Sequence, residues 1–340
     1  MIEEGTSRGA ETMRLSLIAL ALGGLLAGAG TAQAAEAIEP AIVYDVGGKA
    51  DKSFNEAAYR GAQRFAQETG IAVREFEISN ETQRAQAFAN MARRGATVIV
   101  GVGFTQRVAL ETVAKDYPDR KFTLIDATSD LPNVQSVVFR EQEGSFLVGM
   151  LAALASRSHK VGFVGGMDIP LIRRFAAGYG AGARYADPGI EVLVNMTGTT
   201  PAAWQDPARG AELARSQFDR GADVVYAAAG TTGLGVLQAA ADAKRLAIGV
   251  DSNQDFLHPG TMLTSMVKRV DVAVYEAFRT ARDGTWKPGI RSLGLAEDAV
   301  GYSLDEYNET LVTPEMRRKV DAARAEIVAG TIKVPDQLPP

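Results

Sequence analysis

AIVYDVGGKADKSFNEAAYRG, residues 41–61, decides how the rest of the chain is read. The apolar run Ala41 to Val46 suits a strand buried on both faces. Gly47 and Gly48 then let the chain turn back. Beyond the loop, Ala58, Ala62 and Phe65 recur on one helical face, and Gly70 predicts a stop after Thr69. Ser53 and Glu56 have the S-x-x-E spacing of a capping box, which predicts a helix start at Phe54. Asp51 and Asn55 are expected to hold the loop. Strand, glycine turn and amphipathic helix in that order open a βαβ unit.

The same unit repeats down the chain. Apolar runs lie at 96–102, 122–127, 161–166, 190–195, 222–229 and 246–251. Helical patterns lie between them at 84–94, 106–116, 145–156, 172–185, 208–220 and 234–244. The first set of strands ends near VQSVVFRE (134–141), and a second begins at Lys160. TMLTSMVK (261–268) and residues 292–303 read as strands or hinge segments around a helix at 270–283, and a last helix spans 314–329. The expected fold is α/β with two Rossmann-like lobes, parallel sheets and hinge strands. One lobe takes residues 38–143 plus about 268–290, and the other takes 144–267 plus about 291–340.

Composition narrows the function. Hydrophobic residues make up 46% and charged residues 23%, as in an ordinary globular protein, and the net charge is −5. No basic stripe stands out, which argues against a nucleic-acid partner. With no cysteine, disulfides, thiol catalysis, cysteine zinc sites and cysteine-linked lipid anchors are excluded for these 340 residues. After Met13 and Arg14 comes LSLIALALGGLLAGAG (15–30), then Ala32-Gln33-Ala34. That order is a secretory signal peptide, with cleavage expected after Ala34, and Met13 is an alternative start. The run is Gly-rich and shorter than the ~20 apolar residues of a spanning helix.

In open α/β sheets, ligands bind beyond the carboxyl ends of the strands. Asp45, Asp126, Gly230 and Asp251 stand at such ends. The carboxylates offer acceptors for hydroxyl or ring N–H groups, and the glycine allows close backbone approach. Each Asp alone suits a helix cap or turn equally well. Aromatics are 7% of the chain, and two lie in loop contexts: Phe54, and Trp204 within TGTTPAAWQDP (197–207). One ring from each lobe could sandwich a flat ligand; a hydrophobic staple and a loop plug are their structural alternatives. Lys268 could donate to a ligand hydroxyl, although a solvated lysine is the usual case.

Catalytic constellations are weak. The two histidines, His159 and His258, sit in separate polar turns, and no nucleophile elbow, Walker loop or H-E-x-x-H occurs. Gly101 to Gly103 lacks the third glycine of a dinucleotide loop. Asp45 and Asp51 are split by a glycine turn, unlike the adjacent pair of a metal-dependent nucleoside hydrolase. No catalytic residue, metal or cofactor is expected.

DVGGKADKSFNEAAYRG (45–61), GMDIPLIRRFAAGYGAG (166–182), GVDSNQ (249–254) and SMVKRVDVAVY (265–275) occur in the order found in the basic membrane protein family. The chain resembles the ABC-transporter receptors of that family, which include purine nucleoside receptors, from about Ala41 to Ser303. The resemblance implies a type I periplasmic-binding-protein fold with the ligand between the lobes. It implies Phe54 and Trp204 as stacking rings, Asp45 as the family's opening Asp, Asp126 toward the base, and Gly230, Asp251 and Lys268 toward the ribose. Where some of these receptors carry Asn, this chain has Ser53, at the position expected to read the base. Family members are often lipoproteins. With no cysteine to acylate, this one is expected to diffuse as a monomer in a periplasm and to meet an inner-membrane permease. The expected function is non-catalytic capture of a purine nucleoside. The alternatives are the same receptor for a free base, sugar or other polar solute, and a metal-dependent nucleoside hydrolase.

Overall fold

The computed structural model describes residues 38–338 together with Met1; the expected signal peptide and its cleavage site lie outside them. The chain runs β1 (Pro40–Tyr44), α1 (Phe54–Thr69), β2 (Arg74–Glu77), α2 (Arg84–Arg93), β3 (Val98–Gly101), α3 (Arg107–Asp116), β4 (Lys121–Ile125) and β5 (Val134–Phe139). It continues through α4 (Glu141–Ala155), β6 (Lys160–Met167), α5 (Pro170–Ala186), β7 (Glu191–Gly198), α6 (Pro207–Asp219), β8 (Val224–Ala228) and α7 (Thr231–Asp242). Then come β9 (Leu246–Asp251), β10 (Met262–Lys268), α8 (Val270–Arg282), β11 (Gly289–Leu293), β12 (Val300–Tyr302) and α9 (Pro314–Val328). Two six-stranded sheets result, ordered β11-β5-β4-β3-β1-β2 and β12-β10-β9-β8-β6-β7. All ladders are parallel except β10 with β12. The chain changes sheet after β5, β10 and β11, so both lobes share the edge where those strands lie. The expected two-lobe α/β architecture is the one observed.

Each sheet is covered on both faces, which is why its strands read as continuous apolar runs. In the first, Ile42, Val100, Phe65 and Phe278 belong to one core layer, while Val43, Ile99, Phe88 and Leu110 form the other. The second repeats this, with Phe163, Tyr226 and Tyr179 in one layer and Val164, Val225 and Leu237 in the other. Fully burying one such side chain contributes roughly 1.5–3 kcal/mol. Two glycines of the 166–182 motif serve this packing: a Cβ on Gly178 or Gly182 would lie 2.1 or 1.9 Å from the carbonyl oxygens of Gln142 and Phe146 on α4. Any side chain there would force α4 and α5 apart.

The start of α1 differs from the expected capping box. Ser53 makes no side-chain capping bond; the Asp51 carboxylate accepts from the backbone N–H groups of Ser53, Asn55 and Glu56 at 2.8–3.0 Å, and from Asn55 Nδ2. A buried carboxylate takes more of the orphan donors than a hydroxyl can, and the Ser53 side chain is left free for other work. Gly70 ends the helix as expected, at φ 73°. Among the described residues, no helix is long and apolar enough to cross a membrane.

Candidate functional site

The carboxyl ends of both sheets face a cavity of about 780 Å³, part of it open to solvent. Seven of the eight expected residues line it: Asp45, Phe54, Asp126, Trp204, Gly230, Asp251 and Lys268. Asp126 directly follows β4 and Asp251 ends β9, with φ of 68° and 64°, a left-handed conformation that favours glycine and costs other residues energy. Each lobe thus spends backbone strain to set one carboxylate.

The edge shared by the lobes is densely charged. Lys268 is 1% exposed, far from the solvated lysine of the usual case. Its Nζ lies 2.6 Å from Asp126 Oδ2 and 3.2 Å from Glu141 Oε1. Arg174 Nε donates to Glu141 Oε2 at 3.0 Å. Phe54, Phe139 and Phe175 surround the same ammonium, with ring centroids 4.9–5.6 Å from Nζ. Asp126 Oδ1 is buried with no hydrogen-bond partner among the described residues. Burial opposes the charge on Lys268, but Asp126, Glu141 and Asp251 outweigh it and push its pKa up. Burial raises Asp126 despite the lysine. Asp251 is pushed up to about 7, again chiefly by burial, with Lys268 and the Ser53 hydroxyl pulling it down. This end holds carboxylates under strain and short of donors. It suits ligand hydroxyls.

The opposite end is built on β1 and α2. Asp45 accepts from the Val46 N–H at 2.8 Å, from Arg84 at 2.9 Å and from the Thr105 hydroxyl. Gly103, at φ 103°, makes room for this carboxylate: a Cβ there would sit 2.7 Å from Asp45 Oδ2. Between the two ends stand the rings. Phe54 comes from the first lobe. Trp204 comes from the second and is seated on glycines: a Cβ on Gly166 would lie 2.3 Å from the indole.

Ser53 is the exception. It is fully buried and does not line the cavity. Its hydroxyl donates across the cleft to Asp251 Oδ2 at 2.8 Å and lies 3.2 Å from the Val250 carbonyl. Ser252 returns a bond to the Ser53 carbonyl at 2.7 Å, and Gln254 reaches the Lys52 carbonyl at 2.9 Å. The position expected to read the base joins the two lobes instead.

Among the lining or supporting residues outside the expected set are Arg84, Glu141 and Phe175. Arg84 carried a signal, since a cation in the first turn of a helix opposes the helix dipole. Glu141 follows a strand end, like the three aspartates, but the apolar pattern of α4 begins a turn later. Phe175 lies inside α5, where an aromatic at helical spacing reads as core. Among the described residues no three His, Cys, Asp or Glu side chains are arranged to hold a metal ion.

A family profile described as "ABC transporter substrate-binding protein PnrA-like" (Bmp) matches residues 38–338. The chain belongs to the Bmp family. An uncharacterized lipoprotein of Pyrococcus horikoshii is 37% identical over 313 residues, covering 85% of this chain and 76% of its own. The ABC transporter nucleoside-binding protein BmpA of Lactococcus lactis is 31% identical over 324 residues, with 88% and 90% covered. A solved ABC-transporter solute-binding protein from Aeropyrum pernix K1 superimposes with a TM-score of 0.80 at 32% identity, covering 88% of this chain and 94% of its own. As a Bmp-family member, the chain is an ABC transporter substrate-binding protein.

Proposed function

We propose that the protein captures a purine nucleoside in the interlobe cavity and hands it to an inner-membrane ABC permease without chemical change. The observation that carries this reading is the pairing of two rings that line the cavity, Phe54 and Trp204, with an end where Asp251 and Asp126 face it and Asp126 Oδ1 has no donor among the described residues. A flat base stacks between the rings, and the sugar hydroxyls donate to the carboxylates, which moves Asp126 from the base, where the resemblance puts it, to the sugar. The nucleoside-binding name of the Lactococcus relative supports the same reading. Ser53, Ser252 and Gln254 then hold the lobes shut over the ligand. Signal cleavage near Ala34, a periplasmic location and a monomeric state belong to the same proposal. The unanchored state is part of the proposal, because the Pyrococcus relative is named a lipoprotein while these 340 residues contain no cysteine.

Calorimetry with inosine, guanosine, adenosine, adenine and ribose tests it. The expected result is 1:1 binding of a nucleoside, at least tenfold tighter than adenine or ribose, with the ligand recovered intact. Preference for adenine or ribose alone, or metal-dependent release of the base, contradicts it.

A further inference from the structure

Arg84 is 9% exposed and lines the cavity, yet among the described residues the only hydrogen bond of its side chain is the one from Nη2 to Asp45. Its Nε is buried without a partner, and Nη1 lies 3.8 Å from the exposed Glu81 carboxylate, beyond hydrogen-bond reach. A guanidinium has several N–H donors and no acceptor. Burying them unpaired is costly, so a group that accepts from them is favoured.

The neighbouring carboxylate and amide acceptors that line the cavity are already engaged. Asp45 holds bonds from Val46, Arg84 and Thr105; Asp51 holds the start of α1; and Asn55 Oδ1 accepts from the Asp45 N–H. This end therefore offers donors, whereas the Lys268 end offers strained acceptors. β3 separates β1 from β4, so the strand ends bearing Asp45 and Asp126 stand two strand spacings apart, about 10 Å. One nucleoside can span that distance, with its hydroxyls at the carboxylates and the far edge of its base at Arg84.

We infer that Arg84 reads the base edge and selects a carbonyl oxygen there, so that 6-oxopurine nucleosides are preferred over 6-aminopurine ones. This rests on the nucleoside reading above. An exocyclic amino group would bring a donor to a donor and meet a carboxylate already engaged by Arg84 and Thr105. A carbonyl oxygen takes a charge-assisted hydrogen bond from a planar fork made for such acceptors.

Calorimetry with inosine, adenosine and purine riboside, which has hydrogen in place of the 6-substituent, tests the assignment. The wild type is expected to bind inosine at least about tenfold tighter than either of the others, the size of one hydrogen bond to a charged group. In Arg84→Gln that ratio is expected to fall to within about threefold. Arg84→Lys keeps the charge beside Asp45, guards against a folding defect, and is expected to lower the ratio part-way. The ratio compares ligands on one protein sample, so a partly folded variant does not distort it. Adenosine bound as tightly as inosine by the wild type overturns the inference while leaving nucleoside capture standing. An inosine-to-adenosine ratio unchanged in both variants does the same. Failure of every nucleoside to bind overturns both.

Discussion

The two ends of the cavity solve opposite problems. At the edge shared by the lobes, Asp126, Glu141 and Asp251 crowd one buried lysine, and a carboxylate oxygen is left without a donor. At the far end, a nearly buried guanidinium has donors to spare beside a carboxylate already engaged from three directions. The difference teaches that the cleft is polarised along its length by hydrogen-bonding sense more than by net charge. A ligand with hydroxyls at one end and a carbonyl edge at the other pairs both. A ligand symmetric in this respect leaves one end unpaired.

The comparison breaks most severely at Lys268. Lys268→Met removes the cation from the shared edge while leaving Asp126 and Glu141 buried. Losing one partner of a buried pair costs about 3–5 kcal/mol. Chemical denaturation is expected to show a loss of that size, whereas Arg84→Gln at the less enclosed far end should cost clearly less. Equal losses at both ends would remove the contrast.

Titration sharpens it more gently. Asp251 is raised by burial to about 7, so its neutral form is favoured on folding. A raised acid contributes stability that is present at low pH and lost as pH climbs through the folded value. The ligand-free protein is therefore expected to gain stability as pH falls from about 7 to about 4, between the folded value and that of an ordinary aspartate, by at most about 1.4 kcal/mol per pH unit for this single proton. Asp126, also raised by burial, adds in the same direction. Denaturant melts across that range measure the slope, and Asp251→Asn should flatten it.

Much of this was legible in the chain, for definite reasons. Strands buried on both faces leave unbroken apolar runs, so β9 and α1 match the sequence reading residue for residue. β2 was missed because REFE is a charged edge strand that pairs with β1 alone. The strand-end rule found Asp45, Asp126 and Asp251 because crevice ligands bind where parallel strands stop. Ser53 was misread because its S-x-x-E spacing is local, while its hydroxyl is claimed by Asp251, 198 residues away. Arg84 and Glu141 act through partners on other elements, and pairings of that kind leave no periodic trace in the sequence.

The most direct measurement of nucleoside capture in this cleft is inosine calorimetry on the wild type beside Phe54→Ala and Asp251→Ala. The wild type is expected to bind one inosine per chain. Loss of the stacking ring or of the hydroxyl acceptor should each weaken binding by about tenfold or more, in line with ~1–3 kcal/mol per contact. No binding by the wild type, or unchanged affinity in both variants, would contradict the account.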